Sequence, residues 1–291
     1  MSTCASVTAV ARADDYRRES RARWGAAATG WERRRDAMRR ITMPVSAWMV
    51  DAIDPQPGQT VLEVAAGPGD TGFLAAELIQ PGGTLITSDF APEMLTVAQR
   101  RAEELGITNV RFKQIDAESI DLDAGTIDGV LGRWGYMLMA DPEAALRETR
   151  RVLRPGGRLA LAAWTGPEDN PWAALGAGAM VQHGLMEPPD PDAPGQFVWA
   201  REGVIAEHLE ATGFTEHRVE PLDFAYELAS LEDWWGMLLD LSKMFADAVG
   251  AADPRVVSEV RAALEQDAER FTAADGTLVM PARTWVAWAS A

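Results

Sequence analysis

Side chains suited to covalent staples or metal sites are scarce in this chain. It has one cysteine, Cys4, and three histidines, His183, His208 and His217. A lone cysteine excludes an internal disulfide, and without a Cys/His cluster the sequence makes no case for a metal. A reducing cytoplasm is the location expected from this. Positive charge is also short: 27 Lys and Arg stand against 44 Asp and Glu, for a net charge of −17. That balance argues against nucleic acid as partner, because phosphate contacts need basic surface. No apolar run is long enough to span a membrane, and the N-terminal region has no hydrophobic signal core. Tyrosine is rare, at 3, whereas tryptophan is plentiful, at 11, which points to large flat apolar surfaces.

At 291 residues the chain can bury one full α/β core with some to spare. Its organising stretch is Glu63-Val64-Ala65-Ala66-Gly67-Pro68-Gly69. An apolar strand, 61–64, runs into this small-residue loop, and helical spacing follows over 73–79. Strand, glycine loop and helix together let a backbone approach a ligand closely and aim free N–H groups at it. A second strand, 84–88, ends on Asp89, about 20 residues past the glycines, where an acid is placed to bind ribose hydroxyls. A third, 110–115, ends on Asp116.

The set Glu63-x-Ala65-x-Gly67-x-Gly69, then Asp89, then Asp116-Ala117-Glu118, resembles the class I S-adenosylmethionine (SAM)-dependent methyltransferases. The likeness is to the small-molecule branch with the ubiquinone and menaquinone C-methyltransferases. Ile127 to Trp134 and the helix, Pro155-Gly156-Gly157 turn and strand after it strengthen the resemblance, which covers 59–164. Ala65 departs from it, since the family more often has glycine there; a methyl group is expected to fit.

The resemblance implies a Rossmann-like, doubly wound α/β fold whose seven-stranded sheet is closed by an antiparallel edge. Strand-like stretches at 216–227 and 277–289 are paired as that edge. It also implies a helical cap over 1–56 and a methyltransferase core over 57–291; a proline-rich break in the strand–helix rhythm marks a lid insertion at about 165–196, and a second is expected at about 230–275. Within the cap, 1–13 reads as a loose tail. Residues 14–54 read as two or three helices broken near 26–30 and at Met43-Pro44. Its arginine run, Arg33 to Arg35 with Arg39 and Arg40, reads as a solvated face. Between 59 and 164 strand and helix are expected to alternate throughout, and 231–249 is expected as one helix.

The cofactor implied is SAM. Its methionine part belongs on Ala65, Ala66, Gly67 and Gly69, with Glu63 beneath the loop. Asp89 takes the ribose, Phe90 and Met94 flank the adenine, and Asp116, Ala117 and Glu118 meet its edge. Arg133 or Trp134, at the carboxyl end of strand four, borders the transferred methyl. The acceptor is expected to be small and largely apolar (a quinone, polyketide or other secondary metabolite), walled by Trp24, Trp134, Tyr136, His183, Trp235 and Met244. No catalytic base stands out; His183 is the one histidine within reach of a lid. Rival readings are a SAM-binding protein without transfer, a nicotinamide-dependent oxidoreductase, and a non-enzymatic interaction module. Whether the chain works as a homo-oligomer is left open.

Overall fold

The computed structural model describes residues 2–190 and 193–291, with side chains in the first helix from residue 13 onward. The loose tail expected over 1–13 therefore falls mostly outside the described side chains, as does Pro191 of the proline-rich stretch. Seven strands form one sheet: β1 (Thr60–Glu63), β2 (Thr84–Asp89), β3 (Val110–Gln114), β4 (Ile127–Arg133), β5 (Leu153–Trp164), β6 (Glu216–Leu228) and β7 (Leu278–Ser290). Their order is β3-β2-β1-β4-β5-β7-β6. The first five run parallel, and β7 runs antiparallel to both β5 and β6. The doubly wound sheet with an antiparallel edge is thus observed. Strand order reverses beside β1, so the carboxyl ends of β1, β2 and β4 open a crevice there.

Helices α2 (Asp70–Leu78), α3 (Pro92–Leu105) and α4 (Pro142–Val152) connect the parallel strands. The third crossover has no helix. Residues 115–126 pass from β3 to β4 in turns, the first held by the Asp116 carboxylate, which accepts the Glu118 N–H at 3.0 Å. Short polar side chains that bond their own backbone compete with helix, which is why the expected alternation fails there. After β5 come α5 (Pro171–Gln182) and α6 (Val204–Ala211); α7 (Leu231–Leu241), α8 (Lys243–Ala251) and α9 (Pro254–Ala268) fill the stretch between β6 and β7. The single helix expected over 231–249 is split at Ser242, whose extended backbone ends α7 and whose hydroxyl caps α8 by accepting the Phe245 N–H.

The largest departure from expectation is α1, one continuous helix from Ser2–Ile53 with Pro44 inside it. The small residues around 26–30 do not break it. They let it cross other elements closely: a Cβ on Gly25 would meet the Glu93 carboxylate, and one on Gly30 would overlap the Asp240 carbonyl of α7. The arginine run is a solvated face only in part: Arg33 and Arg40 are exposed, but several of the run pair with other helices. Arg34 donates to Asp240 of α7 at 2.7 Å and pairs with Asp233, while Arg33 shares Asp240. Arg35 reaches Glu104 of α3 at 2.7 Å, and Arg100 of α3 reaches back to Glu32 at 2.7 Å. Each such pair contributes ~0–1 kcal/mol at a surface. Together they fix the angle at which α1 lies over the sheet.

The far half of α1 supplies Val45, Met49, Val50 and Ile53 to a core shared with Phe73 and Ala76 of α2 and with Ile79 just after it. A second core, on the other face of the sheet, joins β4, β5 and β7 to α4, α5, α6 and α9. Among the described residues no helix is long and apolar enough to cross a membrane.

The crossing at Gly30 gives a direct expectation. Gly30→Ala gains about 1 kcal/mol of intrinsic helix propensity, but overpacking a fixed backbone costs about 1–3 kcal/mol. Overlap with a main-chain carbonyl has no rotamer escape, so the variant is expected to unfold at lower denaturant than the wild type. A rise in stability would mean that α1 and α7 do not touch there.

Candidate active site

β1 ends on Glu63, and the chain then turns through three left-handed residues, Ala65 (φ 49°), Gly67 (φ 53°) and Gly69 (φ 86°), before α2 begins at Asp70. Ala65 does fit where a glycine is more usual. It fits at a strained φ, a cost of roughly 1–2 kcal/mol, and its methyl packs where a Cβ on Gly135 would collide. Trp134, at the end of β4, is also left-handed at φ 57°. Strain of this kind persists where surrounding structure holds it, and both residues face one cavity of about 390 Å³.

Glu63 lies under the loop, buried to 3% exposure. One carboxylate oxygen accepts the Gly72 N–H at 2.9 Å; the other, Oε2, has no partner. Burial pushes this acid up to about 8, reinforced by the charges of Asp70 and Asp89 and opposed by the Gly72 hydrogen bond and Arg133. Asp89, at the tip of β2, accepts from Gly67 N at 3.0 Å and Ala91 N at 2.9 Å, and burial pushes it up to about 6. It therefore clamps the loop while facing the cavity, with further lone pairs left on both oxygens. Phe90 and Met94 follow it along the wall, while Asp116 stands exposed at the rim beside Ala117.

Of the residues expected around the cofactor, only Gly69 stays behind the lining, its φ and Phe73 shaping the turn. Glu118 reaches the cavity, but its carboxylate is taken: it accepts Arg17 Nε of α1 at 2.9 Å and the Ala140 N–H at 2.8 Å. It latches the Tyr16–Arg17 stretch of α1 over the mouth, where the Tyr16 hydroxyl donates to the Leu138 carbonyl at 2.8 Å. Arg133 is half-buried, and the loss of water around it lowers its affinity for the proton against the pull of Asp70 and Glu63. It donates to the Thr42 hydroxyl and lies 4.9 Å over the Trp134 ring.

The acceptor wall needs more correction. Trp24 and Trp134 do line the cavity. Tyr136 does not: it is buried in the core, its hydroxyl 2.7 Å from Thr149 Oγ1. His183 sits at the end of α5 with Nδ1 2.9 Å from the Ala179 carbonyl, away from the cavity. Trp235 stands one layer back, edge-on to Phe245, and Met244 is 49% exposed. The residues that do take these places are Met237, Leu238 and Leu241 of α7 with Phe245 of α8, Trp164 of β5, Trp172 of α5 and Tyr226 of β6. Trp164 was findable, because it ends β5 at the same carboxyl edge as Trp134. Tyr226 was not, since its position depends on how β6 pairs with β7. Helical phase decides between Trp235 and Leu238, and the sequence leaves it ambiguous on so broad an apolar face.

The cavity therefore has two ends. One carries acids and backbone N–H groups around the glycine loop; the other is aromatic and aliphatic. An unpartnered buried Glu63 oxygen beside a helix start suits a ligand carrying both an ammonium and a carboxylate, and Asp89 suits a diol. These donors and acceptors fit SAM. Among the described residues no three His, Cys, Asp or Glu side chains converge as metal ligands.

Residues 45–171 match the ubiE/COQ5 methyltransferase family. Nocamycin O-methyltransferase of Saccharothrix syringae is 33% identical over 187 residues, 60% of this chain and 66% of that protein. Demethylmenaquinone methyltransferase of Thermus thermophilus is 42% identical over 99 residues, 34% of this chain and 44% of that protein. The chain thus spans just under two thirds of the first relative and under half of the second. Among solved structures, the YcgJ protein of Bacillus subtilis shares the fold at a TM-score of 0.56 and 19% identity, covering 84% of this chain and 97% of that one.

Proposed function

Because the chain belongs to the class I SAM-dependent methyltransferases, we propose that it transfers a methyl group from SAM to a small, largely apolar acceptor such as a quinone, polyketide or other secondary metabolite. The observation that carries this reading is the pairing of ends in one cavity: the Glu63, Gly67 and Asp89 constellation opens directly onto the aromatic lobe. When bound, SAM supplies a methyl already activated on a sulfonium, so alignment and exclusion of water matter more than covalent help.

The chain's own residues divide the work. Ala65, Ala66, Gly67 and the start of α2 receive the methionine carboxylate, and Glu63 Oε2 receives the ammonium. Asp89 holds the ribose, Phe90 and Met94 flank the adenine, and Asp116 and Ala117 meet its edge. Arg133 and Trp134 stand where the two ends of the cavity meet. Residues 1–56 act as the cap, with Tyr16, Trp24 and Trp31 shutting out water over the core of 57–291. The insertions at about 165–196 and 230–275 wall the acceptor. The single cysteine supports a cytoplasmic location.

Calorimetric titration with SAM and with NADH tests the reading, followed by mass analysis of a panel of hydroxylated naphthoquinones and anthraquinones incubated with protein and SAM. Saturable SAM binding and gain of one methyl by a panel member are expected. NADH binding with SAM ignored would replace the reading with an oxidoreductase. SAM binding without transfer to any acceptor would favour a protein of this fold that has dropped the reaction.

A further inference from the structure

Among the described residues only five buried side-chain polar atoms lack a hydrogen-bond partner, and three of them belong to residues lining the cavity: Trp31 Nε1, Glu63 Oε2 and the Tyr226 hydroxyl. An unsatisfied buried polar group costs about 1–3 kcal/mol, so their gathering around one cavity marks where ligand atoms complete the structure. Glu63 and Trp31 belong to the cofactor end. Tyr226 does not. It lies on β6, fully buried, with its ring stacked on Trp172 at 4.1 Å and 11°. Trp134 and Trp164 make a second parallel stack, also at 4.1 Å and 11°.

Charge in this part of the cavity is one-sided. The lining carboxylates, Glu63, Asp89, Asp116 and Glu118, all lie at the cofactor end. The cation nearest the lobe is Arg133. It has a hydroxyl and an indole face for partners and makes none of the described ion pairs with a carboxylate. Burial raises the Tyr226 phenol far above its ordinary value despite the opposing charge of Arg133, so it stays neutral and keeps a proton to donate to an acceptor. A phenol with no hydrogen-bond partner and a cation that feels Glu63 and Asp70 but forms no direct ion pair thus stand beside the apolar lobe.

We propose that Tyr226 and Arg133 form a recognition pair for an acceptor bound as an oxyanion, an ionised phenol or enol on a flat ring system. Such an acceptor arrives without the proton that a base would otherwise remove, which accounts for a lobe with neither histidine nor carboxylate. The inference rests on the methyl-transfer reading for its biological meaning, although the binding preference can be measured without it.

The test uses two ligands of one shape at neutral pH, 2-hydroxy-1,4-naphthoquinone, which ionises, and 2-methoxy-1,4-naphthoquinone, which cannot. Quenching of the lobe's tryptophans reads their binding, with and without S-adenosylhomocysteine. A hydrogen bond to a charged group is worth ~1.5–3 kcal/mol, so the hydroxy compound should bind the wild type at least about tenfold more tightly. Tyr226→Phe, which removes only an unpartnered hydroxyl and should fold as well as the wild type, is expected to bring the two ligands within about twofold of each other. Its affinity for S-adenosylhomocysteine, read by calorimetry, should not change. Equal affinity of the wild type for both ligands, or an intact preference in Tyr226→Phe, overturns the proposal. Arg133→Met should also lose the preference; if it loses only S-adenosylhomocysteine affinity, the cation serves the cofactor's carboxylate and the pair is disproved. Failure of the wild type to bind S-adenosylhomocysteine would instead strike the methyl-transfer reading and leave the ligand comparison to be judged by itself.

Discussion

Asp89→Ala is expected to weaken SAM binding by about 100-fold or more at pH 7.5, more than loss of its ribose contacts alone. A charge-assisted hydrogen bond contributes roughly 1.5–3 kcal/mol, and a ribose offers two hydroxyls to this carboxylate. The same side chain also accepts the Gly67 and Ala91 N–H groups, so removing it frees the loop that must cradle the methionine part. Asp89→Asn should fare little better, because its amide NH2 would have to face one of two backbone donors. A pH dependence follows from the same burial. The free carboxyl sits at about 6 rather than 3.8, so SAM affinity should fall as pH drops below about 6. Because the folded state holds this proton more readily than the unfolded chain, the ligand-free protein also loses stability as pH rises from about 4 to 6. Calorimetry at pH 7.5 and 5.5 checks both claims. Unchanged affinity in a folded Asp89→Ala would remove Asp89 from the site.

The part of this site that could be read in the sequence is the part built from consecutive residues. Strand, left-handed loop and helix are local geometry, so Gly67 and Asp89 could be placed from spacing, while the place of Glu63 beneath the loop followed from the family resemblance. The Asp89 carboxylate was legible as a ligand because it terminates a strand on one edge of a parallel sheet. What stayed hidden depends on contacts between distant segments. Gly30 looks like a helix breaker until α7 is seen lying against it, and Arg34 looks solvated until Asp233 and Asp240 arrive. Tyr136 and Trp235 have the right chemistry for an acceptor wall but point into the core. Tyr226, whose place is fixed by thirteen paired positions between β6 and β7, carried no local signal.

Glu63→Gln is expected to stabilise the ligand-free protein at alkaline pH and to weaken SAM binding, two effects of opposite sign from one atom. Glu63 keeps its shape in the variant, and the glutamine carbonyl oxygen can still accept the Gly72 N–H. What changes is charge. The wild-type carboxyl sits at about 8 in the fold against 4.5 in the unfolded chain. Between those values the unfolded chain has lost a proton that the native state retains, so wild-type stability falls as pH rises. At about 1.4 kcal/mol per pH step, the loss is on the order of a few kcal/mol, and above about pH 7 it is separable from that of Asp89, which has by then largely ionised. Denaturant titrations between pH 6 and 8.5 should therefore slope downward for the wild type and run flatter for Glu63→Gln. SAM reverses the balance in the wild type, because an ammonium beside Oε2 favours the carboxylate. Binding at pH 7 should then release a proton, read by calorimetry in buffers of different ionisation enthalpy, and the ligand-induced rise in melting temperature should grow from pH 6 to pH 8. The variant should release none and bind SAM at least about tenfold more weakly, the lower end expected for loss of one charge-assisted bond. Equal pH slopes in the two proteins would show that Glu63 is not held neutral by burial. Proton-neutral binding in the wild type would show that the ammonium does not meet it.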